Sequence, residues 1–127
     1  MITLKFAEEC LENYPANLAR VDALIWDYKR NPSNKLKEEI TRFRFMTVPL
    51  KKMIADLSSG EKIDNIVAKD MLLVLGACYF GRNPVHAILE MTGWSRANFF
   101  RKKNSLIELA RDYLASYSDL TYSEKIS

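Results

Sequence analysis

Between Arg82 and Lys103 the chain carries five cations, Arg82, Arg96, Arg101, Lys102 and Lys103, against the single anion Glu90, a local charge of +4. Residues 1–81 hold twelve cations and eleven anions, and residues 104–127 hold two and four, so this stretch outweighs the rest in making the net charge of +3. Guanidinium and ammonium groups this close together, interleaved with the amides of Asn98 and Asn104, fit the chemistry of nucleic acid. Cations neutralise phosphates, and Arg and Asn present paired hydrogen-bonding groups to guanine and adenine edges. Projection of residues 95–105 at about 100° per residue places Ala97, Asn98, Arg101, Asn104 and Ser105 opposite Phe99 and Leu106. Those five form the expected base-reading set, with Arg101 suited to guanine and Asn98 to adenine. Arg82, Ser95, Arg96, Lys102 and Lys103 are expected at phosphates, Ser95 through the N-terminal dipole of its helix.

Catalysis finds little to build on. His86 is the sole histidine, and Cys10 and Cys78, the two cysteines, stand in amphipathic or apolar surroundings that suit small core side chains. The carboxylate pairs Glu8/Glu9 and Glu38/Glu39 are sequence neighbours and do not share a helix face. Gly76 and Gly81 lack phosphate-loop spacing. The expectation is a protein that is not an enzyme and uses no metal or cofactor.

A reading head of this kind needs helices to hold it. The chain has 127 residues, 48% hydrophobic and 28% charged, with four glycines and four prolines. That composition fits one globular domain, residues 1–127, able to bury about two-thirds of its unfolded surface. Leu11, Tyr14, Leu18, Val21, Ile25 and Tyr28 recur at helical spacing, with Pro15 either starting a new helix or kinking a longer one. Asn31-Pro32-Ser33-Asn34 ends that helix. A second pattern runs through Leu36, Ile40, Phe43 and Thr47, and Pro49 opens a separate short segment closed by Gly60. From Glu61 to Phe80 the apolar residues wrap nearly around a helix, predicting a central core element. Asn83 and Pro84 read as the N-cap and first residue of a short helix ending near Met91.

Thr92-Gly93-Trp94 is then a turn, and Ser95 caps the last long helix, with Phe99, Leu106, Ala110, Tyr113 and Tyr117 inward. The polar tail from Ser118 is expected to fray. These elements predict an all-α bundle of about five to six helices, with residues 82–117 forming a C-terminal helix-turn-helix and its extended recognition helix. The longest apolar run, Met71 to Phe80, is too short to span a bilayer, and the N-terminus lacks a secretory signal, so no membrane association and a cytoplasmic location are expected.

Tyr79-Phe80, Gly93-Trp94-Ser95, Phe99-Phe100-Arg101-Lys102-Lys103 and Leu106-Ile107-Glu108-Leu109-Ala110 together resemble the C-terminal part of ArpU-like and RinA-like phage transcriptional regulators. The resemblance covers roughly residues 70–114. Leu89 and Thr92 depart from the small and aliphatic residues common at those positions of the motif. The family resembles region 4 of sigma factors and acts on phage late genes. The resemblance therefore implies sequence-specific binding of double-stranded DNA, late-gene activation and contact with RNA polymerase. A homodimer on two half-sites is the natural way to gain affinity, and the stripe from Leu11 to Tyr28 suits either its seam or, in preference, packing against the central helix. Two rivals compete with regulation: a phage-encoded protein-interaction module that inhibits or adapts another regulator, and the DNA-recognition component of a packaging machine.

Overall fold

The computed structural model describes the backbone of residues 1–126 and the side chains of residues 1–118. Among these the chain is helical throughout: α1 (Leu4–Arg30), α2 (Asn34–Ser59), α3 (Asn65–Val74) with a π-helical continuation over Leu75–Phe80, α4 (Val85–Thr92) and α5 (Arg96–Ile126). No described residue lies in a β-strand. One buried cluster draws on every helix, from Ala7, Cys10 and Leu11 of α1 through Leu50, Met53 and Leu57 of α2 to Met71, Ile88, Phe99, Leu106 and Leu114.

The first two helices are longer than their sequence patterns. Thr3 starts α1 by accepting from the Phe6 N–H, and Pro15 lies inside it. Pro49 likewise lies inside α2, fusing the two segments expected on either side. Each proline withholds one i to i−4 hydrogen bond, from the carbonyls of Leu11 and Phe45, at a cost of about 3 kcal/mol in an isolated helix. Burial overrides that cost: Tyr14 and Leu11 flank the first proline in the core, and Pro49 is itself buried beside Leu50. α1 packs mainly against α2, and also against α5 and the π-helical end of the central helix, where Tyr14 of the stripe stacks on Phe80 at 5.8 Å between centroids. Ser33 caps α2, and Gly60 ends it in the left-handed conformation at φ 69°.

Asp64 caps α3 with its carboxylate, so the helix begins four residues later than the apolar pattern from Glu61 suggests. Its expected all-round burial is not found. Ala68, Met71, Val74, Leu75 and Tyr79 face the core, whereas Ile66 is 73% exposed and Val67, Leu73 and Phe80 are also exposed. Widening into a π-helix ends at Gly81, whose N–H donates to the Gly76 carbonyl at 2.7 Å. A Cβ on Gly81 would stand 2.9 Å from that carbonyl oxygen, so close backbone approach requires glycine there. Arg82 then takes a left-handed φ of 51°. Asn83 does not cap α4: its Nδ2 donates back to the Ala77 carbonyl at 3.0 Å, and Pro84 occupies the N-cap position. At the other end of the chain, α5 continues as helix past the expected fraying point at Ser118.

A polar tie fixes α5 to α2. The Tyr113 hydroxyl donates to Asp56 Oδ2 at 2.5 Å, with Lys62 Nζ 3.6 Å from the same oxygen. The hydrogen bond, helped by nearby lysines, holds the Asp56 carboxyl below its usual range, while burial and then the same bond push Tyr113 up to about 12. A carboxylate held low in the folded state contributes stability above the unfolded carboxylate pKa and loses it as pH falls through the folded value. Tyr113→Phe is therefore expected to flatten the acid side of a stability–pH curve measured by urea unfolding. An acid limb identical to wild type contradicts this role for the bond.

Candidate nucleic-acid interface

Local chemistry builds the junction of α4 and α5 residue by residue. Gly93 ends α4 in the left-handed conformation, φ 76°, and its N–H donates to the Leu89 carbonyl. That geometry is one glycine adopts without a Cβ penalty. The Thr92 hydroxyl donates to the Ile88 carbonyl at 2.8 Å and accepts from the Trp94 N–H at 3.2 Å, closing the turn from within. Ser95 opens α5: its Oγ accepts from the Asn98 N–H at 3.1 Å. Two fully buried side chains, Ile88 from α4 and Phe99 from the first turn of α5, join the common core. Phe99 also meets the Phe100 ring edge to face, 5.1 Å between centroids.

Around this frame the expected base-reading residues divide. Ala97, Asn98, Arg101 and Asn104 are exposed. Arg101 Nη2 donates to Asn98 Oδ1 at 3.2 Å, so guanidinium and amide act as one unit one turn apart. Ser105 is half-buried, with its hydroxyl committed to the Arg101 carbonyl at 3.0 Å. It and Arg101 line a cleft of about 180 Å³ against Val67, Asp70 and Met71 of α3. Ser105 therefore stands off the outward face, against α3.

The phosphate set divides more sharply. Arg82, Ser95 and Arg96 are exposed, and neither arginine is in an ion pair among the described residues. Lys102 and Lys103 are engaged within the molecule. Lys102 Nζ lies 2.5 Å from Asp70 Oδ2 and 4.9 Å from the Trp94 ring centroid. Lys103 Nζ lies 3.4 Å from Glu8 Oε2, with the Tyr79 and Phe100 rings at 5.7 and 5.9 Å. The same Glu8 oxygen accepts from the Tyr79 hydroxyl at 2.8 Å. Burial, and then that carboxylate, push the Tyr79 pKa far above its usual value, so Tyr79 remains a donor. Both lysines therefore brace α5 against α3 and α1. Half-buried ion pairs of this kind position a helix, and breaking one leaves a partner charge without its mate.

Neither cysteine stands in a nucleophilic setting. Cys10 is buried and its thiol is pushed up to about 11 by burial, and Cys78 is raised for the same leading reason. Among the described residues, no group of three His, Cys, Asp or Glu side chains is placed to hold a metal ion, and no helix is long and apolar enough to cross a membrane. Compared with known proteins, the chain matches no family model, no curated protein and no solved structure.

Proposed function

We propose that the protein is a sequence-specific binder of double-stranded DNA that regulates transcription, as an activator of phage or prophage late genes. The observation that carries this reading is the exposed group Arg96, Ala97, Asn98, Arg101 and Asn104 at the start of a long helix, behind a glycine-capped turn. Phosphates are held by Arg82, Arg96 and the N-terminal N–H groups beyond Ser95, and bases are read by Asn98 and Arg101. Such a helix reads few base pairs by itself, so a homodimer on paired half-sites accompanies the proposal, as does contact with RNA polymerase in the cytoplasm. The resemblance to ArpU-like and RinA-like regulators supports the late-gene role.

A protein partner is the second reading, and one observation favours it: Ile66, Val67 and Leu73 expose apolar surface on α3, beside the cleft that Arg101 lines. Salt separates the two. Duplex binding is expected to weaken by about 0.9 in log affinity per phosphate contact for each unit of log salt, whereas an apolar interface responds weakly. Selection of bound fragments from the source genome, followed by salt titration on the selected duplex, tests the proposal. No binding at low salt, or affinity indifferent to salt, refutes it. Enrichment of packaging sites over promoter-proximal ones reassigns it to the packaging rival.

A further inference from the structure

The continuity of α2 through Pro49 assembles a second cationic surface. Residues 29–52 hold eight cations, Lys29, Arg30, Lys35, Lys37, Arg42, Arg44, Lys51 and Lys52, against Glu38 and Glu39, a local charge of +6. On α2 itself Lys37, Thr41, Arg44, Val48 and Lys51 recur at spacings of four, three, four and three, which places them on one stripe of the helix. All five are exposed, and Lys52 borders them, also exposed. The stripe contains no carboxylate. Glu39 is turned toward α1, 4.0 Å from Arg20. Lys37, Arg44, Lys51 and Lys52 take part in no ion pair among the described residues, in contrast to Lys102 and Lys103.

We propose that this outer face of α2 is a second phosphate-binding surface, which holds the backbone of duplex nucleic acid through Lys37, Arg44 and Lys51; the proposal rests on the DNA-binding reading above. The three cations stand seven residues apart, so at 1.5 Å per residue they span about 21 Å. One strand of a duplex presents about six phosphates over that axial distance. An anionic membrane fits less well. Helices that lie on membranes insert a broad apolar face, and the apolar face of α2 is spent on the core, leaving Val48 as the apolar member of the stripe. A contact of this kind carries no sequence information. It adds affinity and fixes orientation, while Asn98 and Arg101 choose the bases.

The test is the full-length triple variant Lys37→Gln/Arg44→Gln/Lys51→Gln, assayed on the selected duplex and on a random duplex across a salt series, with thermal unfolding alongside. Three lost phosphate contacts should reduce the magnitude of the log–log salt slope by about 2.7 and weaken both duplexes by the same factor, with base preference and melting temperature unchanged. If the triple variant unfolds, Arg44→Gln replaces it, and a slope change of about 0.9 is expected. Wild-type binding with a slope that the variant leaves unaltered overturns this proposal and spares the DNA reading. Absence of duplex binding by the wild type overturns both. A parallel arm uses phosphatidylserine vesicles: lipid binding that the variant loses, with DNA binding intact, assigns the stripe to a membrane and overturns the proposal.

Discussion

Phe99→Ala is expected to lower folding stability by about 3–5 kcal/mol, because it removes a fully buried ring and leaves a cavity in the common core. A domain is stable by only about 5–15 kcal/mol, so the loss consumes a large part of the whole. Phe99 sits in the first turn of α5 and shares the buried cluster with Ile88 of α4, and its ring meets Phe100 edge to face. Truncation should therefore loosen the junction before it loosens the α1–α2 pair. Thermal unfolding with DNA affinity measured on the same sample checks this. A markedly lower melting temperature with weakened binding is the expected outcome. A melting temperature equal to that of wild type, with binding lost, shows instead that Phe99 touches the ligand and that α5 presents a different face.

The second large effect concerns specificity. Arg101→Ala is expected to cost about 1–3 kcal/mol on the preferred duplex, roughly five- to 150-fold in affinity, with little change on random DNA and nearly unchanged melting. Asn98→Ala should relax preference at its own base and at the one Arg101 reads, because Asn98 Oδ1 holds the guanidinium at 3.2 Å. The double variant should consequently lose less than the sum of the single losses, as contacting residues do in a mutant cycle. Strict additivity makes the hydrogen bond incidental. Lys103→Ala is a different kind of change, since it leaves Glu8 facing the Tyr79 hydroxyl alone and is expected to register in stability.

Much of what short-range chemistry specifies was legible in the sequence, the Asn83 cap excepted. Gly93 before Trp94-Ser95 marks a left-handed stop followed by a cap, and both are found where the residue types place them. The inward position of Phe99 follows from the periodicity of α5 alone. Pro49 misled, because local propensity reads it as a boundary while packing carries α2 straight through it. The outer face of α3 misled in the opposite sense: Ile66 and Leu73 complete an apolar ring in projection, yet both are exposed. The partners of Lys102 and Lys103 were illegible in principle. Asp70 and Glu8 lie on distant helices, and a charge count along the chain cannot show which cations the fold has already neutralised. The near balance of charge over residues 1–81 likewise conceals the stripe on α2, which gains Lys51 because both sides of Pro49 belong to one helix.

The widened turn over Leu75–Phe80 has a consequence for how lengths of chain can vary in this molecule. A π-helical turn houses one residue more than an α-helical turn, so it behaves as an insertion absorbed without a loop. Removal of Gly76, which is exposed and whose Cβ position meets no neighbour within 4 Å, costs no packed side chain. A chain shortened there closes as an ordinary helix, and because the widened turn has already absorbed the extra residue, the positions on either side keep their azimuth. Tyr79 would keep its seat opposite Glu8. The widened turn thus lets this segment carry one residue more without re-aiming the helices that follow it.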